Sequence, residues 1–205
     1  MSGREDTPDV AALLDVLRTH VGIGDLTCIL SDRADVRVLD VDWGVRLGPP
    51  CFVGRARTVT TNGGVAPIRT MLPALLPGDV LVVRSSHPSA AVFGDRLADA
   101  ATARGVTGVV VDGKVRDVVA LEAGTLPVVA RGVRPQRHDA VGAGTQDTPL
   151  AIGSTYVAPH DIVVGDRNGV VGVPASSSEH VLSDLDAWIE AERTADQAAP
   201  SPREG

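Results

Sequence analysis

The feature that most constrains the fold is a βαβ unit in the middle of the chain. Val80-Leu81-Val82-Val83 is a short apolar run bounded by turn residues, of the kind expected for a strand covered on both faces. A loop RSSHPSAAVFG follows, then DRLADAATAR, which reads as a helix, then the strand VTGVVVDG. A strand, a crossover helix and a second strand of this length join parallel strands of one sheet. The next residues, KVRD at 114–117, read as the opening of another short helix.

The flanking segments extend this α/β pattern. Asp9 can cap a first helix in which Val10, Leu13, Leu14 and Leu17 recur at helical spacing as far as His20. Cys51 to Thr60 roughly alternates apolar and polar residues as a strand does, and TNGG at 61–64 is a strong turn signal. Ala66 to Leu76 reads as a short helix stopped by Pro77-Gly78-Asp79. Strands are expected at Leu126–Ala130 and Ile152–Ala158, with a hairpin around DRNGVVGVP, so the sheet should be mixed. Ser178 to Arg193 places Val181, Leu182, Leu185, Trp188 and Ile189 on one helical face. The organisation expected is therefore a flexible N-terminus over 1–8, one domain over 9–193 and a disordered tail over 194–205.

Composition narrows the partners. The 205 residues are 43% hydrophobic, enough for a single core, and only 2% aromatic, which suits β-branched strands under small-residue helices. Nineteen Lys and Arg against 26 Asp and Glu give a net charge of −7, and no basic run with interleaved aromatics is present, so nucleic acid is not an expected partner. No apolar run reaches the roughly 18 residues that span a bilayer. With two cysteines, Cys28 and Cys51, and no signal-peptide pattern at the start, a soluble cytoplasmic protein with reduced thiols is expected, and both thiols read as small buried hydrophobes.

The βαβ unit also carries the chemistry. A helix of about ten residues runs roughly 15 Å from its start, and the next strand returns by a similar distance, so Asp95 can meet Arg116-Asp117. Both lie beyond the carboxyl ends of parallel strands, the side where open α/β sheets bind ligands. Two carboxylates can hold a hard Mg²⁺ or Mn²⁺ through oxygen while a guanidinium grips substrate oxygens. Backbone N–H groups near Arg96 and Leu97, at a helix start after Gly94, would seat a carboxylate. A plainer reading stands beside this one, in which Asp95 caps its helix and Arg116-Asp117 is a solvated turn.

The pattern of aspartate, twenty residues, then Arg-Asp resembles the signature of the RraA-like family of class II pyruvate aldolases. GDVLVV at 78–83, FGDRLADAATARGVTGVVVDGKVRD at 93–117, LPVVARGVRP at 126–135 and VAPHDIVVGDRNGVVGVP at 157–174 are similar to that family's blocks, in the same order. The resemblance implies a β/β/α swivelling-type fold with a mixed sheet flanked by helices, assembled as a trimer or hexamer with sites at subunit boundaries. It also implies that Asp117 binds the metal directly, that Asp95 holds a metal-bound water, and that Arg116 contacts a small 2-oxo acid. The implied reaction is cleavage of a 4-hydroxy-2-oxo acid or decarboxylation of oxaloacetate. Some members of the family instead inhibit a ribonuclease assembly, and a further alternative is a member repurposed to another lyase reaction. A methyltransferase has less support, since no glycine-rich nucleotide loop opens a helix.

Where relatives carry a glycine-rich loop after the GDVLVV strand, this chain reads Arg84-Ser85-Ser86-His87-Pro88-Ser89. Ser85 and Ser86 are therefore candidate substrate contacts and His87 a candidate proton donor. His160 stands where a Pro-Gly-Asp turn would have glycine and is read as structural. GVVVDGK at 108–114 has phosphate-loop spacing, but Val115 replaces the required Ser or Thr and the valines are strand-like. Asp161 and Asp166 are read as turn-closing residues rather than metal ligands.

Overall fold

A computed structural model of the chain describes residues 8–20, 26–137 and 144–198. It begins with α1 (Pro8–His20) and α2 (Leu26–Ser31), followed by two short strands, β1 (Arg37–Val38) and β2 (Val45–Leu47). The long β3 (Phe52–Thr61), α3 (Ala66–Met71) and β4 (Asp79–Ser85) lead into β5 (Ala91–Phe93), α4 (Asp95–Thr102) and β6 (Gly108–Val115). Next come α5 (Val118–Ala123), β7 (Val128–Val133), β8 (Leu150–Ile152) and β9 (Thr155–Val157). The hairpin β10 (Ile162–Gly165) and β11 (Val170–Val173) precedes α6 (Ser178–Ala198).

The main sheet is mixed, in the order β1-β11-β10-β3-β4-β6-β7-β2, with β5 added at the end of β6. Its centre, β3-β4-β6-β7, is parallel, and its margins are antiparallel. Alternation along β4 explains the layering. Leu81 and Val83 face a helical layer that includes Ile68, Met71, Leu97, Ala101 and Leu121. Val80 and Val82 face the opposite way, onto Leu150, Ile152 and Val157 of the separate β8-β9 hairpin. The result is hairpin, sheet and helices in three layers, and each wholly buried Val or Leu contributes about 1.5–3 kcal/mol. A third cluster joins α1 to α6 over the β10-β11 end through Leu13, Leu14, Leu17, Val181 and Leu185.

Several expectations need correcting. Helix α1 starts at Pro8, so Asp9 sits in its first turn instead of capping it. The expected loop after β4 contains a strand: Ala91, Val92 and Phe93 are buried and pair with Lys114 and Val115. For the same reason KVRD opens no helix at Lys114, because Lys114 and Val115 also pair with Gly132 and Val133 of β7. The strand expected over 152–158 is two strands, because Gly153, at φ +60°, turns the chain back on itself. Helix α6 continues through Thr194–Ala198, part of the expected tail; residues 1–7 and 199–205 lie outside the described residues. Cys28 is exposed and Cys51 half-buried, so neither is the buried hydrophobe expected. No helix among the described residues is long and apolar enough to cross a membrane.

Candidate functional site

Two strand ends bring the site together. β5 runs beside β6, and the Arg116 N–H donates to the Phe93 carbonyl at 3.0 Å, which holds the end of β6 against the residue before Gly94. Gly94 is the N-cap of α4, and Asp95 is the first helical residue, without a side-chain capping bond. Asp95 is thus not the N-cap residue itself, although its Oδ1 accepts from the Arg96 N–H in the same first turn. Nor is Arg116-Asp117 a simple solvated turn, since both side chains are about one-third exposed and engage each other at 3.3 Å, Arg116 Nε to Asp117 Oδ2.

Asp117 sits in the left-handed region at φ 58°, a conformation that aspartate tolerates better than most residues. Its backbone caps α5 while its carboxylate turns towards α4, where Oδ2 lies 3.4 Å from the Asp95 amide. Gly94 makes this approach possible, because a Cβ there would stand 2.5 Å from Asp117 Oδ2 and 3.1 Å from Arg116 Cγ. The Asp95 backbone, Arg116 and Asp117 thus meet around Gly94, as the spacing predicts.

The N–H groups expected to be free at the helix start are spoken for. Arg96 N–H donates to Asp95 Oδ1 at 2.6 Å, and Leu97 N–H donates to the Gly94 carbonyl at 3.1 Å. The carboxylate seat read from the sequence is thus filled by the helix's own first turn. Beside it opens a cavity of about 400 Å³ whose walls include Gly94, Asp95, Arg96, Leu97 and Arg116. Val65, Arg69 and Leu72, from α3 and its flanks, line it as well. Arg69 was not visible as a site residue in the sequence, because only tertiary packing of α3 brings it there.

Ser85, Ser86 and His87 are not among the residues lining this cavity. They pack instead on the turn that follows β3: Ser86 N–H donates to the Thr61 carbonyl at 2.9 Å, Ser86 Oγ to Asn62 Oδ1 at 3.1 Å, and His87 lies against Gly63. His160, at φ 74°, occupies the glycine-like position of its turn, as read from the sequence. Asp161 accepts from Ala158 and Ala175 N–H groups, and Asp166 from Thr27, Asn168 and Gly169, so both close turns.

Among the described residues no group of three or more His, Cys, Asp or Glu side chains is arranged around a metal position. The carboxylates of Asp95 and Asp117, on either side of Gly94, nevertheless offer hard oxygen donors that suit Mg²⁺ or Mn²⁺, since Mg²⁺ commonly takes one or two carboxylates and keeps several waters. The cradle that Gly94 opens around Asp117 Oδ2 is where such an ion would be held.

The RraA-like family model, described as Aldolase/RraA, matches residues 27–172. A protein of Halalkalibacterium halodurans, provisionally named as a 4-hydroxy-4-methyl-2-oxoglutarate aldolase, is 35% identical over 133 residues, which is 63% of each chain. The match therefore spans less than two thirds of that relative. A Geobacillus kaustophilus structure described as S-adenosylmethionine:2-dimethylmenaquinone methyltransferase is 32% identical with a TM-score of 0.67, covering 72% of this chain and 93% of its own. Streptomyces coelicolor RraAS2, described as an unusual member of the RNase ES inhibitor RraA protein family, is 25% identical with a TM-score of 0.73, covering 96% of this chain and 100% of its own.

Proposed function

The chain belongs to the RraA-like family, and on that premise we propose that it is a divalent-metal-dependent carbon–carbon lyase acting on a small 2-oxo acid. The observation that carries this reading is the meeting of the Asp95 backbone, Arg116 and Asp117 around Gly94, beside a cavity whose walls include Gly94, Asp95 and Arg116. The name of the Halalkalibacterium relative supports an aldolase reaction.

Asp117 would hold Mg²⁺ or Mn²⁺ directly and Asp95 would hold a water of the ion. When bound, such an ion supplies Lewis-acid stabilisation of charge on the 2-oxo group. Arg116 uses Nε on Asp117, which orients the guanidinium and leaves its outer N–H donors for the substrate carboxylate and 2-oxo oxygen. In retro-aldol cleavage the bond between C3 and C4 breaks, the C4 hydroxyl loses its proton, and the enolate left behind takes a proton at C3 to become pyruvate. In oxaloacetate decarboxylation the bond from C3 to the departing carboxylate breaks instead and CO₂ leaves. Both routes place negative charge on the enolate oxygen, which Arg116 would offset, and both need a proton carrier, for which a water hydrogen-bonded to Asp95 would serve.

Losing an electrostatic partner of this type costs about 10²- to 10³-fold in rate. Arg116→Ala is therefore expected to lower kcat by that factor, with Arg116→Lys recovering little because the forked geometry is lost. An Arg116→Ala enzyme with unchanged turnover would refute the assignment.

The likeness to RraAS2 over nearly the whole chain favours a second reading, a non-catalytic regulator of a ribonuclease or another basic protein. Co-purification with such a partner, together with no metal-dependent turnover, would decide for it. Tight calorimetric binding of S-adenosylmethionine would decide instead for the activity named for the Geobacillus structure.

A further inference from the structure

Arg116 and Asp117 adjoin in sequence, and adjoining residues of an extended chain point to opposite sides. Here they do not. β6 ends at Val115, and the left-handed backbone of Asp117, at φ 58°, brings its carboxylate round to Arg116, so that Nε meets Oδ2 at 3.3 Å. The Arg116 N–H is fixed on the Phe93 carbonyl, and both side chains lie across Gly94. A Cβ at Gly94 would stand 3.1 Å from Arg116 Cγ, 3.4 Å from its Nε and 2.5 Å from Asp117 Oδ2. The contact is therefore built into the backbone, unlike a chance meeting of two surface side chains.

The same Oδ2 lies 3.4 Å from the Asp95 amide, so two N–H donors, one of them charged, face the carboxylate that is to hold the ion. A guanidinium on a ligand oxygen draws charge from it and repels a dication placed beside it. Arg116 and Asp117 are each about one-third exposed, so solvent weakens this repulsion without removing it. One oxygen of Asp95 is likewise engaged, accepting from the Arg96 N–H at 2.6 Å. An anion reverses the balance. On the outer N–H donors of Arg116, a carboxylate neutralises the guanidinium that opposes the ion.

We propose that Arg116 makes metal and oxo acid bind cooperatively: it weakens the hold of Asp117 on a lone divalent ion and stops opposing that ion once the acid's carboxylate occupies the guanidinium. This rests on the reading of Asp117 as metal ligand given above. The site then loads less metal when no acid is present, and each ligand raises the affinity of the other by the same factor, as linkage requires.

Mn²⁺ binding, followed through the paramagnetic resonance of the free ion with and without saturating pyruvate, tests this apart from turnover. Arg116→Gln is expected to bind Mn²⁺ alone about five- to tenfold more tightly than wild type, the scale of a partly screened charge contact. Arg116→Lys, which keeps the charge and loses Nε, should fall between the two. Arg96→Gln removes an equal charge from the same cavity wall and should change Mn²⁺ affinity by less than about twofold. Pyruvate should tighten Mn²⁺ by a larger factor in wild type than in Arg116→Gln. Unchanged Mn²⁺ affinity in Arg116→Gln, a rise matched by Arg96→Gln, or an equal pyruvate effect in wild type and Arg116→Gln would overturn this inference. Loss of Mn²⁺ binding in Asp117→Asn would then leave the metal reading standing. Binding unchanged in Asp117→Asn, or absent from wild type and Arg116→Gln alike, would overturn both.

Discussion

At Gly94 a single hydrogen in place of a side chain decides whether the site can form. Asp117 Oδ2 would lie 2.5 Å from a Cβ there, closer than any real contact, while the backbone at φ −168° is open to every residue. Gly94→Ala is therefore expected to displace the carboxylate without unfolding α4. Displacements of about 1 Å near the reacting atoms can cost about 10²-fold in rate, so turnover should fall by that order while the melting temperature changes little. A fully active Gly94→Ala protein would contradict the geometry. The thiols give a second test: burial, with Asp166 nearby, pushes the Cys51 thiol up, whereas Cys28 is exposed. A higher thiol pKa means less thiolate at a given pH, so iodoacetamide at pH 8 should label Cys28 well before Cys51. Asp95, Arg116 and Asp117 were legible in the sequence because one crossover unit sets their separation. Arg69 was not, because its place depends on packing between elements with no shared periodicity.

Individual elements are held by clasps that binary patterning does not reveal. Arg57 of β3 is buried and bonds Asp147 at 2.8 Å through both Nε and Nη2, the Ala74 carbonyl at 2.7 Å, and the wholly buried Asp79 at 3.4 Å. Asp147, with Asp79 behind it, holds the guanidinium pKa above its usual value. Removing one member of such a buried set typically costs about 3–5 kcal/mol, so Arg57→Met should lower the urea midpoint accordingly. An unchanged midpoint would mean that the set contributes nothing net. Phe52, at the start of the same strand, fits against Gly108 and Gly165, where an added Cβ would meet its ring at 2.4 and 2.3 Å. Strands β3, β4 and β6 were readable because strands of seven to ten residues rich in Val or Thr leave a clear pattern. β5, β8 and β9 are three residues each, and Arg37–Val38 only two, too short to show a period and formed only because a neighbouring strand edge was available.

For the whole molecule, the mixed sheet flanked by helices was expected from the family resemblance and is observed, whereas the β8-β9 hairpin that covers its other face was read from the sequence as one strand. Whether several copies share one site is a property that one chain's sequence expresses only through that resemblance. We propose a trimer or hexamer with sites at subunit boundaries, for which dilution to monomer, followed by light scattering, should abolish turnover; an active monomer would exclude it. The central claim is that the Asp95-Arg116-Asp117 cluster is a metal-dependent lyase site. It is tested most directly by pyruvate release from oxaloacetate and from 4-hydroxy-4-methyl-2-oxoglutarate, with Mg²⁺, with Mn²⁺ and with EDTA, for wild type and Asp117→Ala. Release that requires metal and disappears in Asp117→Ala is the predicted result; release indifferent to EDTA or to the substitution, or no release from either acid, would contradict it.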